Sequence, residues 1–470
     1  MGESSVDTLL IILSLFLLMF FAYRGYSVIL FAPVFALLAA MPQGLSPMPA
    51  YTELFMAKSV VYVKSFFPTF LLGAVFGKLM EETGLAQSIA RAIIAGVGRE
   101  RAMLSVCLSG AVLTYGGVSL FVVVFAIYPF AAALFKEADI PKKFLPATIM
   151  LGSFTFTMDA FPGSPQIQNL IPTNFFGTNI YAAPFIGIIG GMFLLVGGMT
   201  WLTYRAKQAK AKGIGYGENH LNEPPPIDES KLPDWRLAVL PLFTIMALNF
   251  VFTRMYTWDP NMLKPFAAMK LPLLAGSVNN VVGIWSLIIA LVAGILLTVV
   301  IGFSRLPKGG LAKALNAGAI GSLLAIMNVA SEVGYGNVVA ALPGFTSLAD
   351  GLLGINTGGG PLLSEFTVVS IFAGVTGSSS AGMSIAFSLM GEQWLQWAIQ
   401  SGTSPELLHR IGSMTAGGFD TLPHNGAIIT LLAVCGLTHS QSYPDIAVMT
   451  TLKVAVPLLC ILINSVTGIL

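Results

Sequence analysis

Two stretches hold the residues that can do chemistry. Thr155 to Asn169, TFTMDAFPGSPQIQN, carries an acid, two prolines, a glycine and four hydrogen-bonding side chains after the acid. Gly417 to Thr430, GGFDTLPHNGAIIT, repeats the idea: Asp159 to Pro162 and Asp420 to Pro423 are both Asp-x-x-Pro, about 260 residues apart. Both lie in apolar surroundings. A membrane helix broken at such a stretch frees backbone N–H and C=O groups. The half-helix N-termini, with partial positive charge and unpaired donors, suit a carboxylate. Freed carbonyls and short side chains suit Na⁺ or a proton relay. The candidates in the first break are Asp159, Gly163, Ser164, Gln166 and Asn169; in the second they are Asp420, His424 and Asn425. Asp159 and Asp420 can also cap the half-helices that follow, a role compatible with binding. An acid inside a membrane is functional by default. Asp159, Asp420 and His424 are therefore the candidate coupling-ion residues, with imidazole titrating near neutral pH. A histidine merely hydrogen-bonded within the break is the competing reading of His424.

Two further stretches recur at a similar offset: LTYGGVS (Leu113 to Ser119) and VTGSSSAG (Val375 to Gly382). Thr114, Ser119, Thr376, Ser378, Ser379 and Ser380 offer hydroxyl ligands, Tyr115 stands beside the first pair of glycines, and Gly116, Gly117 and Gly377 allow close approach of backbone to a solute. Glycine and serine in membrane helices often serve only tight packing. Recurrence in both halves favours the binding reading.

These stretches need a membrane scaffold, and the composition supplies one. The chain has 470 residues, 55% of them apolar and 10% charged, with mean hydropathy +0.80. Apolar runs fall at roughly 8–22, 26–41, 58–80, 102–136, 143–175, 184–204, 237–254, 280–303, 311–335, 361–399, 405–437 and 444–468. Several match the ~20 residues that cross a hydrocarbon core. The fold expected is an all-α polytopic membrane protein. Short alternating strands of a β-barrel are absent from the sequence.

The polar stretch from Arg205 to Arg236 holds six Lys or Arg residues and EPPPIDE, a solvated linker placed in the cytoplasm by its positive charge. Counting from it puts both ends of 102–136 in the cytoplasm and both ends of 361–399 outside. Each is read as a re-entrant helical hairpin whose polar tip stops at mid-membrane, with two short spans as the alternative. Each half then contains two helices, a third helix, an amphipathic segment, a hairpin, a broken transmembrane helix and a last helix, in opposite orientations. The expected organisation is two inverted-topology repeats, 1–204 and 237–470, joined by the linker 205–236. Inverted repeats with broken helices point to a secondary transporter with its site at the repeat interface.

Other classes fit less well. A net charge of +2 gives no reason to expect nucleic acid, and Cys107, Cys435 and Cys460 show neither disulfide nor metal spacing. No nucleophile–base set, HExxH or GxSxG suggests an enzyme, and two different tips argue against a symmetric channel filter. A cation/proton antiporter is the serious alternative, since it also uses inverted repeats and membrane acids. Glu332 and Glu365 are read as interfacial, Lys64 as able to snorkel, and His220, His409 and His439 as loop or helix-end residues without a special role.

The chain resembles the gluconate permease (GntP) family of the wider ion-transporter superfamily. The stretches that carry the resemblance are YRGYSVILFAPVFALLAA (Tyr23 to Ala40), LLGAVFGKLMEETGLAQSIA (Leu71 to Ala90), the hairpin TYGGVSLFVVVFAIYPFAAALF and LPATIMLGSFTFTMDAFPGSPQIQN. It is closer to hydroxybutyrate or general organic-acid permeases than to true gluconate permeases. The resemblance implies symport of a small carboxylate such as 3-hydroxybutyrate or a gluconate-like hydroxy acid. It implies coupling to H⁺ or Na⁺ with no other cofactor, and a transport domain that moves like an elevator against a scaffold. It also implies a homodimer in the bacterial inner membrane. By this likeness Thr114 to Ser119 and Thr376 to Ser380 are the hairpin tips, and Asp159 to Asn169 and Asp420 to Asn425 the unwound regions. The Ser-Asn-Thr tip that the superfamily's dicarboxylate branch links to sodium is missing, which favours proton coupling.

Overall fold

A computed structural model describes residues 3–24, 26–118, 120–218, 220–224, 229–269, 277–278, 281–306, 309–345, 360–423 and 425–470. Helices dominate it, and no strand occurs among the described residues. The first part of the chain forms α1 (Glu3–Tyr23), α2 (Val28–Ala40), α3 (Pro47–Glu82) and the amphipathic α4 (Leu85–Val97). A pair follows, α5 (Ala102–Tyr115) and α6 (Leu120–Glu137). A broken helix then runs as α7 (Leu145–Ser153) and α8 (Ile167–Phe176), before the long α9 (Pro184–Ala211). After the linker come α10 (Trp235–Met255), α11 (Val282–Arg305) and α12 (Gly310–Ala340). The order pair, broken helix, long helix then recurs: α13 (Gly360–Thr376) with α14 (Ser379–Ser401), α15 (Pro405–Phe419) with α16 (Gly426–Cys435), and α17 (His439–Thr467).

Six of these helices, α3, α9, α10, α11, α12 and α17, are long and apolar enough to cross a membrane. They leave large apolar side chains exposed, among them Phe185, Leu296, Val300, Leu324 and Val466. Lipid is the solvent that makes such exposure favourable. Helix α5, at 14 residues, is about 21 Å long and too short to span alone.

Local chemistry accounts for the helix boundaries near the breaks. Helix α7 gives way to a widened turn at Phe156–Ala160, and its continuation is blocked by Pro162 and Pro165, which lack the N–H a helix needs. Gly163 between them has φ +82°, a left-handed conformation that favours glycine. Helix α15 starts with Pro405 at its first position and Ser404 Oγ accepting from the Glu406 amide. Helix α16 starts under Asn425, whose Oδ1 accepts from the Ala427 and Ile428 amides.

Helix α12 packs along α3, α13 and α14 lean on α15, and α9 lies against α17. The linker is held down rather than free in solvent over residues 221–223. Lys142 Nζ donates to Leu221 O and Glu223 Oε1, both at 2.9 Å, Tyr128 Oη donates to Asn222 O, and Asn222 Nδ2 donates to Ala433 O of α16. Burial pushes the Glu223 carboxyl up, but Lys142 and the Tyr216 hydroxyl win and hold it below the usual carboxylate range.

Candidate functional site

Lys453 of α17 lies at the centre of the buried polar cluster. Its Nζ stands 3.0 Å from Asp159 Oδ2 and 3.4 Å from Asp420 Oδ1, and donates to Phe154 O at 2.6 Å. All three side chains are buried. The two Asp-x-x-Pro acids, 261 positions apart, therefore share one ammonium. Asp159 lies in the widened turn after α7 and Asp420 closes the C-terminal end of α15, while the N-cap positions of the half-helices that follow belong to Gln166 and Asn425. Ser413 Oγ of α15 donates to Asp159 O at 2.9 Å, tying the first break to the second broken helix. Neither Asp159 oxygen receives a well-aligned hydrogen bond, so the carboxylate keeps free acceptor positions.

The two tips are joined to the breaks by side-chain amides. Gln166 Nε2 donates to Thr114 O at 2.7 Å and to Val118 O at 3.3 Å. Asn425 Nδ2 donates to Gly377 O at 2.6 Å. Tyr115 Oη reaches back to Pro162 O at 2.7 Å. A cross-link runs from the first break to the second tip, where Gln168 Nε2 donates to Ser379 Oγ at 2.8 Å. The tips turn at Gly117, φ +93°, and Gly377, φ +64°. Ser378 Oγ accepts from the Ala381 amide and bonds Ser380 Oγ, and Thr376 Oγ1 donates to Phe372 O.

Other candidates face elsewhere. Ser164 Oγ donates to Thr157 O, and Asn169 Nδ2 donates to Ser164 O and Ile180 O. Asn169 Oδ1 accepts from Arg410 Nη1 at 2.8 Å and contacts His409 Nε2 at 3.1 Å. These two residues fasten the break to α15 and to the connection between α8 and α9. Gly116 lies against Leu242 of α10, where a Cβ would overlap the leucine; its close approach is to a helix. Gly163 has Tyr181 and Tyr115 Oη in the space a side chain would fill. Ser119 and His424 lie outside the described residues.

Three ionisable residues given little or no weight in the sequence reading are central here. Lys453, a lone lysine in the last apolar run, belongs to no local motif. Nor does Arg410. It is fully buried and clamps the α8–α9 connection, with Nε on Ala182 O at 3.0 Å and Nη2 on Ala182 O at 2.8 Å and Ile180 O at 3.1 Å. His409, placed above at a helix end without a role, is buried within α15 and bonds Thr178 Oγ1 at 2.6 Å. Glu332 and Glu365, read as interfacial, are both buried inside the protein. In each case an ionisable residue in an apolar run was the available signal.

Gly417 of α15 touches the ion pair directly. A Cβ there would overlap Asp159 Oδ2 and lie 2.8 Å from Lys453 Nζ. Gly417→Ala is expected to push Asp159 off Lys453 and lower uptake by roughly tenfold or more, the equivalent of about 1.4 kcal/mol. Gly418→Ala meets only Val454 as its nearest neighbour, at 3.1 Å, and serves as the control. Equal uptake in the two variants would detach the ion pair from transport.

The charged cluster sits where half-helix ends, a lysine and two hairpin tips meet. The first turn of α8 has no side-chain cap, because Gln166 turns its amide to Thr114 instead. The α16 terminus, in contrast, is capped by Asn425. An uncapped helix N-terminus is a place for an anion.

Comparison with known proteins agrees with a transport assignment. The family model described as GntP family permease matches residues 9–467. An uncharacterized transporter of Bacillus subtilis (strain 168), YxjC, is 49% identical over 486 residues, covering 99% of this chain and all of that one. An uncharacterized transporter of Haemophilus influenzae is 23% identical over 357 residues, 75% of this chain and 74% of the other. Among solved structures, the YdaH transporter of Alcanivorax borkumensis, described as having an unusual topology, aligns over 87% of this chain and 86% of its own. Its TM-score is 0.53 and its identity 17%, a likeness of fold.

Proposed function

Because this chain belongs to the GntP permease family, we propose that it is a symporter of a small organic carboxylate in the bacterial inner membrane. The substrate class is a hydroxy acid such as 3-hydroxybutyrate or a gluconate-like sugar acid, and the driving ion is H⁺ or Na⁺. The observation that carries the reading is the shared ammonium. Lys453 holds the acids of two separate helix breaks, and the first break leads into an uncapped half-helix whose Gln168 bonds Ser379 of the second tip.

The physical division of labour follows. The substrate carboxylate takes the α8 N-terminal amides, and its hydroxyl takes Ser379 or Gln168, which already pair with each other at 2.8 Å. The unfilled acceptor positions of Asp159 receive the coupling ion or respond to it. Among the described residues, Lys453 is the one cation within ion-pair distance of Asp159 and Asp420, so these three carry one net negative charge when all are ionised. Binding a cation there removes the repulsion that a substrate anion would otherwise meet. The hairpins, the broken helices and the α9–α17 pair that carries Lys453 move together as an elevator, opening to each face in turn while α3, α10, α11 and α12 stay in place. The homodimer is part of the same proposal.

The test is gradient-driven uptake into proteoliposomes with gluconate, 3-hydroxybutyrate, lactate and citrate. Saturable, gradient-dependent uptake of one of them is expected. Ser379→Ala is expected to raise the half-saturation concentration several-fold, as loss of one hydrogen bond of about 1 kcal/mol predicts, with membrane insertion unchanged. Flux of none of the four acids, with Na⁺/H⁺ exchange instead, would establish the cation/proton antiporter.

A further inference from the structure

Of the buried acids that take no part in the cluster just described, Glu332, Asp445 and Glu365, only Glu365 has both carboxyl oxygens without a partner among the described residues. Glu365 lies on α13, the first arm of the second helical pair, and is fully buried. Neither of its carboxyl oxygens has a hydrogen-bond partner. Its Oε1 is packed against Gly412 of α15, close enough that a methyl at Gly412 would run into it, and Phe387 of α14 closes the same space. No lysine, arginine or histidine lies within ion-pair distance of it among the described residues.

The charged groups on the helices around α13 have other partners or positions. On α15, His409 bonds Asn169 and Thr178, Arg410 bonds Asn169, Ile180 and Ala182, and Glu406 accepts from the Ala183 amide. On α17, Lys453 is held by Asp159, Asp420 and Phe154 O, and Asp445 by Arg205. On α14, Glu392 is exposed and accepts from Gln396. On α1 the charged residues are Glu3 and Asp7, both at its N-terminal end.

An ionised carboxylate sealed in protein without a partner is the costliest state a side chain can adopt. The group escapes that cost only by carrying a proton, or by being opened to water. Its position gives this a consequence. Gly412, against which Glu365 rests, is followed directly by Ser413, which holds Asp159 O, and five residues on by Gly417, which touches the Asp159–Lys453 pair. One helix, α15, therefore has Glu365 on one side and the acid–lysine cluster on the other.

We infer that Glu365 is a proton-carrying site of the transport cycle, separate from Asp159 and Asp420. The reaction is a reversible protonation: the carboxylate takes H⁺ from water on one side when α13 and α15 part, and the neutral acid is buried when they close. This deepens the symport reading and rests on it. It adds a proton site at the α13–α15 contact to the anion and cation positions proposed at the Asp159–Asp420–Lys453 cluster.

Two measurements separate failure of this assignment from failure of the symport reading. The first needs no substrate. The infrared C=O band of a protonated carboxylic acid is recorded for the purified protein at neutral pH, for wild type and for Glu365→Gln, an isosteric neutral variant. A band present in the wild type and missing from the variant is expected, and identical spectra would overturn the assignment. The second uses proteoliposomes and 3-hydroxybutyrate or gluconate. Glu365→Gln is expected to keep substrate counterflow within about threefold of wild type, while losing accumulation driven by an inward acid gradient. Glu365→Asp, which retains a titratable group, is expected to recover part of that accumulation. Full gradient-driven accumulation by Glu365→Gln would exclude the proton role. Should the wild type move none of the acids, the carboxylate reading falls, and the infrared result alone decides where the proton resides.

Discussion

Lys453→Ala is expected to eliminate uptake and to lower the unfolding temperature of the detergent-solubilised protein. The lysine is the ammonium that meets both Asp159 and Asp420, and it also satisfies Phe154 O. Removing one member of a buried ion pair leaves an uncompensated charge, which typically costs about 3–5 kcal/mol. Here two carboxylates lose their partner at once and face each other across the gap. The electrostatic part of the loss is separable. Asp159→Asn with Asp420→Asn in the Lys453→Ala background removes both orphaned charges, so stability should return towards wild type while uptake stays absent. Thermal unfolding and proteoliposome uptake measured on the single and triple variants check both halves. Wild-type uptake in Lys453→Ala would remove the cluster from the transport site.

Arg410→Ala should have its largest effect on assembly of the fold. The guanidinium is fully buried and donates to Asn169 Oδ1, Ile180 O and Ala182 O. Asn169 and Ile180 have other donors nearby, but Ala182 O takes both its side-chain bonds from Arg410. Each orphaned buried acceptor costs about 1–3 kcal/mol, and the cavity adds to that. The connection between α8 and α9 would lose its anchor to α15, and the first break would lose its register against the second. The expected readout is a collapsed monodisperse peak in size-exclusion chromatography and little protein in the membrane. Arg410→Lys is expected to recover only part of the yield, because a compact ammonium cannot reproduce the planar fork that reaches three acceptors. A stable, active Arg410→Ala protein would show that the clamp is dispensable.

These two variants act on residues the sequence reading passed over, and the reason is physical. Asp159 and Asp420 declared themselves by sitting in Asp-x-x-Pro stretches with glycine and short polar residues, a local pattern that cannot continue a helix. The tips announced themselves the same way, through Tyr115-Gly116-Gly117 and Thr376-Gly377-Ser378. Lys453 and Arg410 lie inside regular helix, where nothing local marks them. Their partners come from other elements: Lys453 is 294 positions from Asp159, and Arg410 is 241 from Asn169.

By itself the sequence determined the all-helical membrane class and marked the polar breaks at 159–169 and 420–425 and the tips at 114–119 and 376–380. Each depends on composition or on backbone chemistry within a few residues, which a chain carries wherever it folds. Tertiary structure alone decided that the two acids meet on one lysine and that Gly116 packs on Leu242. It also decided that Glu365 is sealed against Gly412 and that the linker is bound to α6, Lys142 and α16. Those facts depend on which helix faces which. That is settled by close packing of small residues between distant segments, as where Gly152 meets Cys107 O or Gly318 meets the Val75 backbone, and no local stretch encodes its partner.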